Sequence, residues 1–298
     1  MKKIAAIDIG SNALRMLICY VIPDNNINIF QKNQYIRLPL RLGEDSFRDG
    51  KISKKKIDTL SNALISFKYT MKVHDVSEYQ IYATSALRDS KNSKEVISFV
   101  YKSTGMKIKL INGVKEAKVI SMGNPIEKLD FDKTYIYMDV GGGSTEFSIV
   151  VRGESKKSKS FDLGTVRLIN NLVDIKVFDD IKKWINSNID DDLKIRILAS
   201  GGNINKIHEM TRTKKESPIS YLSLKDLYNS LKDLDFKDRM IKYDLNPDRA
   251  DVILPALRIF ISTMECTKSN KLFVPQVDLV DGMINEIFHL KNGEKLDS

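Results

Sequence analysis

The chain has 298 residues, of which 42% are hydrophobic and 29% charged, a length that fits about two domains and a composition that excludes disordered, collagen-like and coiled-coil chains. Forty-eight Lys and Arg against 39 Asp and Glu give a net charge of +9, which favours polyanionic partners such as nucleic acid, acidic lipid or phosphate chains. Runs such as Lys54-Lys55-Lys56 and Lys156-Lys157 read equally well as solvated faces. Two cysteines and three scattered histidines exclude a disulfide scaffold and a closely spaced zinc site.

At the N-terminus the apolar run Ile4-Ala5-Ala6-Ile7 is ended by Asp8, well short of a signal peptide. The stretch MLICYVIP at 16–23 is less than half of the roughly 18 residues that span a bilayer. A cytoplasmic protein without a membrane partner is expected. The first forty residues read as strand, tight turn at Asp8-Ile9-Gly10-Ser11-Asn12, strand, turn at Pro23-Asp24-Asn25-Asn26, and strand. Ser53 is an N-cap signal, and Ile57, Leu60, Leu64, Phe67 and Met71 fall three or four apart on one helical stripe.

The segment EYQIYATSALR then predicts a strand running into a polar turn, 93–103 a helix, KIKLI a strand and 116–122 a helix. That helix stops at Gly123-Asn124-Pro125, a hinge signal. Beyond it the opening pattern returns: a strand over 133–138, a turn from Asp139 to Ser144, the strand FSIVV and the strand SKSFDL. The two Asp-x-Gly turns lie 131 residues apart and each leads a hairpin, so the chain reads as two halves of similar architecture. KIRILAS, the turn Gly201-Gly202-Asn203, helices over 223–233 and 249–265, the strand LFVPQ and a last helix over 281–290 complete an α/β pattern with mixed sheets.

The turn at Gly10 permits close backbone approach, and successive N–H groups with the Ser11 and Asn12 side chains suit a phosphate; Asp8 would then hold a divalent cation that neutralises it. A plain hairpin turn is the competing reading. Asp139-Val140-Gly141-Gly142-Gly143-Ser144-Thr145-Glu146 is more specific, because three consecutive glycines are costly unless something approaches the backbone closely. It offers donors for phosphate oxygens between two carboxylates, and matches neither the Walker loop nor the dinucleotide fingerprint. Glu116, after Gly113, reads either as a base for a water or as a helix-start acid that complements the dipole.

Taken with Arg41-Leu-Gly-Glu, Ala83-Thr-Ser-Ala-Leu-Arg88, Gly113-x-x-Glu116-Ala, Leu163-Gly-x-x-Arg167-Leu, Ser200-Gly-Gly-Asn203 and Arg249-Ala-Asp251, these segments resemble the exopolyphosphatase/guanosine pentaphosphate phosphohydrolase (Ppx/GppA) family. The resemblance runs in order over nearly the whole chain. It implies two ribonuclease-H-like (actin-like ATPase) domains with mixed five-stranded sheets around a central cleft. The first would cover 1–124, with a C-terminal helix at about 281–298 packing back on it, and the second 125–280.

It further implies Glu116 as the catalytic base, and Asp139 and Glu146 as catalytic acids that hold Mg²⁺ or another divalent cation with Asp8. Phosphate would be bound by Gly10, Ser11, Asn12, Arg15, Arg88, Gly141, Gly142, Gly143, Ser144, Thr145, Gly201, Gly202 and Asn203. The implied substrate is inorganic polyphosphate or guanosine penta- or tetraphosphate, with no specific nucleic acid; a homodimer is compatible. Hydrolysis of a terminal phosphoanhydride needs positioning and charge neutralisation more than covalent chemistry.

Three positions depart from the family pattern: Ala13 replaces a second serine, Lys115 stands where an acid is frequent, and Val280 replaces an arginine in the segment Leu279-Val280-Asp281-Gly282. Longer members continue into helical C-terminal domains that lengthen the polyphosphate channel, and for a form of this length the resemblance leaves processive digestion of very long chains open. Two other functions compete. A polyphosphate or alarmone sensor would bind without turnover, and a kinase would consume ATP only with an acceptor.

Overall fold

The computed structural model describes residues 2–24, 27–123, 133–151, 154–189, 195–214 and 217–291. In chain order the first elements are β1 (Lys2–Ile9), β2 (Leu14–Asp24), β3 (Ile27–Leu38), α1 (Leu42–Asp49), α2 (Lys54–Val73), β4 (Glu78–Ala83), α3 (Ser85–Arg88), α4 (Ser93–Thr104), β5 (Lys109–Leu110) and α5 (Gly113–Met122). There follow β6 (Thr134–Val140), β7 (Thr145–Val151), β8 (Glu154–Phe161), α6 (Thr165–Ile169), α7 (Lys176–Asn186), β9 (Ile195–Ser200), α8 (Gly202–Met210) and β10 (Ile219–Ser220). The last are α9 (Tyr221–Lys232), α10 (Phe236–Tyr243), α11 (Pro247–Ala250), α12 (Ile253–Cys266), β11 (Lys271–Phe273) and α13 (Leu279–Lys291). The chain divides into one unit of Met1–Gly123 with Leu279–Ser298 and a second of Asn124–Asp278. The hinge signal at 123–125 lies, from Asn124 onward, outside the described residues, as does the tail after Lys291.

In the first unit the sheet order is β3-β2-β1-β4-β5; β1, β2 and β3 run antiparallel, while β4 and β5 run parallel to β1. Strand alternation sends Ala5, Ile7 and Ile9 to one face, where Leu60, Leu64 and Phe67 of α2 and Val96 and Val100 of α4 cover them. Ile4 and Ala6 point to the other face, against Val119 and Ile120 of α5 and Val280, Met283 and Ile284 of α13. Ser53 caps α2 by accepting from the Lys56 N–H, as its sequence signal predicts. Val280 is fully buried in this second layer, so an apolar residue there packs where the family pattern has an arginine.

Cys19 lies in the same layer, 2% exposed; burial first, and the nearby Asp281 second, push its thiol up to about 12. The native protein should therefore resist iodoacetamide at Cys19 at pH 8, with labelling complete only after denaturation. Rapid native labelling, read by mass spectrometry, would show that α13 does not seal this face.

The second unit repeats the plan in the order β10-β11-β9-β6-β7-β8: β6, β7 and β8 antiparallel, β9 and β11 parallel to β6 and β9 respectively. This sheet has six strands where the resemblance implies five. The addition, β10, pairs only Ile219 with Leu272 and Ser220 with Lys271, immediately before Ser220 caps α9, and two residues carry no readable periodicity. Its main core joins Ile136, Met138 and Phe147 to Phe260 and Leu257 of α12, with Phe147, Phe161 and Trp184 in mutual ring contact.

The helix predicted over 249–265 is two helices, α11 and α12, broken at Asp251-Val252. Pro255 explains the break: a proline has no N–H for a helix bond and is tolerated only in a first turn, so α12 must begin just before it. Among the described residues no helix is long and apolar enough to cross a membrane. The two units share the same hairpin-led sheet plan, a mixed α/β architecture.

Candidate active site

Both units bend their first hairpin in the same way. Gly10 N–H donates to the Ala13 carbonyl at 3.1 Å, and Gly141 N–H to the Ser144 carbonyl at 2.9 Å. The residues that flank these bends are paired in register, Asp8 with Arg15 and Asp139 with Glu146. Each pair is seven residues apart, yet the electrostatics are opposite. In the first unit Arg15 Nη1 donates to Asp8 Oδ2 at 2.9 Å, a nearly buried ion pair. In the second, two carboxylates face one another across the strands, with oxygens within 4.8 Å.

Like charges directly opposite on neighbouring strands repel, and carboxylates set this close could hold a metal ion between them. The parallel register of β9 and the antiparallel register of β8 extend the row to Ser200, Asp139, Glu146 and Ser160, and Ser160 Oγ donates to Glu146 Oε1 at 2.8 Å. The donors are oxygens alone, a hard set that fits Mg²⁺, Ca²⁺ or Mn²⁺ rather than zinc or copper.

Beside this row the triple glycine turns its carbonyls toward the start of α6. Gly141 O accepts from Thr165 N at 3.0 Å, Gly142 O from Val166 N at 2.8 Å and Gly143 O from Arg167 Nε at 2.7 Å. A side chain at Gly164 would overlap the Gly142 carbonyl, which explains the glycine in the Leu163-Gly-x-x-Arg167 segment. The N–H groups of Gly142 and Gly143 meet no acceptor among the described residues. Two adjacent amides left over in this way are available to an anion.

Gly201, after β9, has φ 93°, and a Cβ there would overlap Asp139 Oδ1. It leads into α8, whose first-turn amides form a helix N-terminus of the kind that favours anions. The Asn203 side chain is committed to the protein: its Nδ2 donates to the Val140 carbonyl at 2.9 Å, and Arg249 Nη1 donates to its Oδ1 at 2.7 Å. Thr145 likewise donates its hydroxyl to the Leu163 carbonyl. What either residue offers a ligand is its main chain. Ser144 is buried beside the glycines.

In the first unit Ser11 is buried, its Oγ 2.9 Å from Ser85 Oγ, and the Asn12 carbonyl accepts from Arg41 N at 2.9 Å. Glu116, 7% exposed, sits in the first turn of α5, where Asn112 Oδ1 accepts from Lys115 N at 2.8 Å in the manner of an N-cap. Arg88 binds the preceding loop through Nη1 to the Ile111 carbonyl at 3.0 Å and lies 3.8 Å from Glu116 Oε2. A guanidinium and a helix N-terminus thus both face this carboxylate. The supports Arg249, Arg167 and Gly164 stand within motif segments without a role that their residue type announces. Ser160 and Ser200 join the acidic row only through strand register.

The Ppx/GppA phosphatase family model matches residues 29–291. The chain is 34% identical over 169 residues to the bifunctional 3-dehydroquinate synthase/phosphatase of Fusobacterium nucleatum, covering 55% of this chain and 25% of that protein. It is 26% identical over 208 residues to exopolyphosphatase 1 of Mycobacterium leprae, covering 67% and 59% respectively. It therefore spans less than two thirds of the length of either relative. Among solved structures, an exopolyphosphatase from Cytophaga hutchinsonii superposes with a TM-score of 0.85 at 22% identity, covering 100% of both chains. The Aquifex aeolicus Ppx/GppA family member gives 0.76 at 21% identity, covering 98% of this chain and 99% of that one. These two likenesses carry the fold, and the family match carries the membership: the chain belongs to the Ppx/GppA phosphatase family.

Proposed function

We propose that this protein hydrolyses the terminal phosphoanhydride of inorganic polyphosphate, releasing orthophosphate, and accepts guanosine pentaphosphate as a second substrate of the same chemistry. The observation that carries the reading is the opposed Asp139 and Glu146 pair beside the amides of Gly142 and Gly143, which meet no acceptor among the described residues. Together they provide for a cation and for phosphate oxygens in one place. Asp139 and Glu146 would hold the divalent cation together with Asp8, one of whose oxygens is bound by Arg15. When bound, Mg²⁺ would neutralise charge on the phosphate oxygens.

Gly142, Gly143 and Ser144, the first turn of α8 at Gly202, and the bend at Gly10 to Asn12 would orient the phosphates. Glu116 would take the proton of the attacking water, and the terminal phosphoryl group would leave as orthophosphate. Arg88 would serve this step by fixing the loop before α5, and its remaining N–H groups can meet phosphate.

The test is a side-by-side rate measurement on polyphosphates of several lengths and on guanosine pentaphosphate. Orthophosphate release should require Mg²⁺, and EDTA should abolish it. Tight binding of either ligand with no phosphate release would support the sensor reading instead, and ATP consumption that depends on an acceptor would support a kinase.

A further inference from the structure

We propose that Glu286, on α13, is a positioning residue for the turn of α5 that carries Glu116, an inference that rests on the reading of Glu116 as the base. Glu286 is 1% exposed. One of its carboxylate oxygens accepts from Lys115 Nζ, and the other from the Tyr82 hydroxyl at 2.5 Å. That hydroxyl in turn accepts from Gln80 Nε2 at 2.8 Å. A carboxylate so deeply buried is strongly destabilising unless its charge and lone pairs are met, and here Lys115 supplies the charge while Tyr82 supplies the second bond.

Lys115 is the residue before Glu116, and its own N–H is the one held by Asn112 Oδ1. The ion pair therefore anchors the first turn of α5. A second contact fixes the rest of it. A side chain at Gly282 would overlap the Val119 carbonyl, so α13 meets the α5 backbone without a side chain between them. Positions 282 and 286 are four apart, on one face of α13. One contact sets the separation of the two helices, and the other sets the turn that bears the base. Tyr82 completes the tie to the sheet, because it pairs in register with Asp8 on β1. A base misplaced by about 1 Å can lose about a hundredfold in rate, so a fixed turn matters to turnover while leaving substrate binding alone.

The test uses the full chain with polyphosphate of defined length and Mg²⁺, measuring orthophosphate release over a range of substrate concentrations. Lys115→Met and Glu286→Gln should each lower kcat about tenfold with KM within about twofold, and the double variant should lose no more than the worse single one. Lys115→Arg, which can still pair with Glu286, should keep most of kcat. Lys115 is the more exposed partner, so its variants carry the test if Glu286→Gln does not fold.

Wild-type kcat in folded Lys115→Met, with only the melting temperature lowered, would overturn the proposal, as would losses that simply add in the double variant. If Glu116→Gln is inactive while the Lys115 and Glu286 variants are normal, the positioning role fails and the base assignment stands. A folded wild type that releases no orthophosphate would overturn both.

Discussion

Glu116→Gln is expected to lower kcat for orthophosphate release by about 10²–10⁴-fold, the usual contribution of a general base, with little change in KM. The substitution keeps the shape of the side chain and its place in the first turn of α5, and removes the capacity to accept a proton together with the negative charge that faces Arg88. Asn112 still caps the helix, and Arg88 still holds the loop through the Ile111 carbonyl, because neither bond involves the Glu116 carboxylate. Phosphate affinity should largely survive, since apart from Arg88 the assigned phosphate-binding groups lie on segments other than α5 and its preceding loop. Steady-state release at saturating polyphosphate, together with a direct binding titration, separates the two effects. Undiminished kcat would place the base elsewhere.

Gly201→Ala should be nearly as damaging, for a different reason. At φ 93° and ψ 168° the backbone is in a region that side-chain-bearing residues avoid at a cost of about 1–3 kcal/mol, and the added methyl would overlap Asp139 Oδ1. The strain should lower the melting temperature by several degrees. Displacing one of two opposed carboxylates should also raise the Mg²⁺ needed for half-maximal activity by about 10–100-fold, as loss of a ligand's support commonly does. Gly50→Ala is the control. Gly50 has φ 70° at the C-cap of α1, so its substitution is strained as well, but a methyl there meets only the flexible Lys91 side chain. Thermal melts should fall for both variants, while the Mg²⁺ dependence should shift only for Gly201→Ala. Equal Mg²⁺ dependence in the two would separate Asp139 from the cation.

The hairpins and their bends were legible because their signals are local: alternating apolar residues, a glycine bend and an aspartate at the end of the strand that enters it. The stripe on α2 from Ile57 to Met71 was legible for the same reason, since helical periodicity and the Ser53 cap lie within one segment. The sixth strand of the second sheet was not, because two residues hold no period. Pro255 did carry the signal for the break between α11 and α12, but the apolar stripe around it hides the interruption.

At the site, residue type announced carboxylates and glycines but not their partners. Asp8 and Asp139 look alike in sequence, and only register reveals that one faces an arginine and the other a glutamate. Asn203 and Thr145 stand in phosphate-type motifs, yet their side chains bind the Val140 and Leu163 carbonyls. Glu286 is 171 residues from Lys115, a separation that no local pattern bridges.

The most direct measurement is ³¹P NMR of polyphosphate turnover in water enriched in ¹⁸O, with Mg²⁺ present. The account predicts orthophosphate carrying one solvent oxygen and chains that shorten by single terminal units. Internal cleavage, or no orthophosphate until a second acceptor is added, would contradict it.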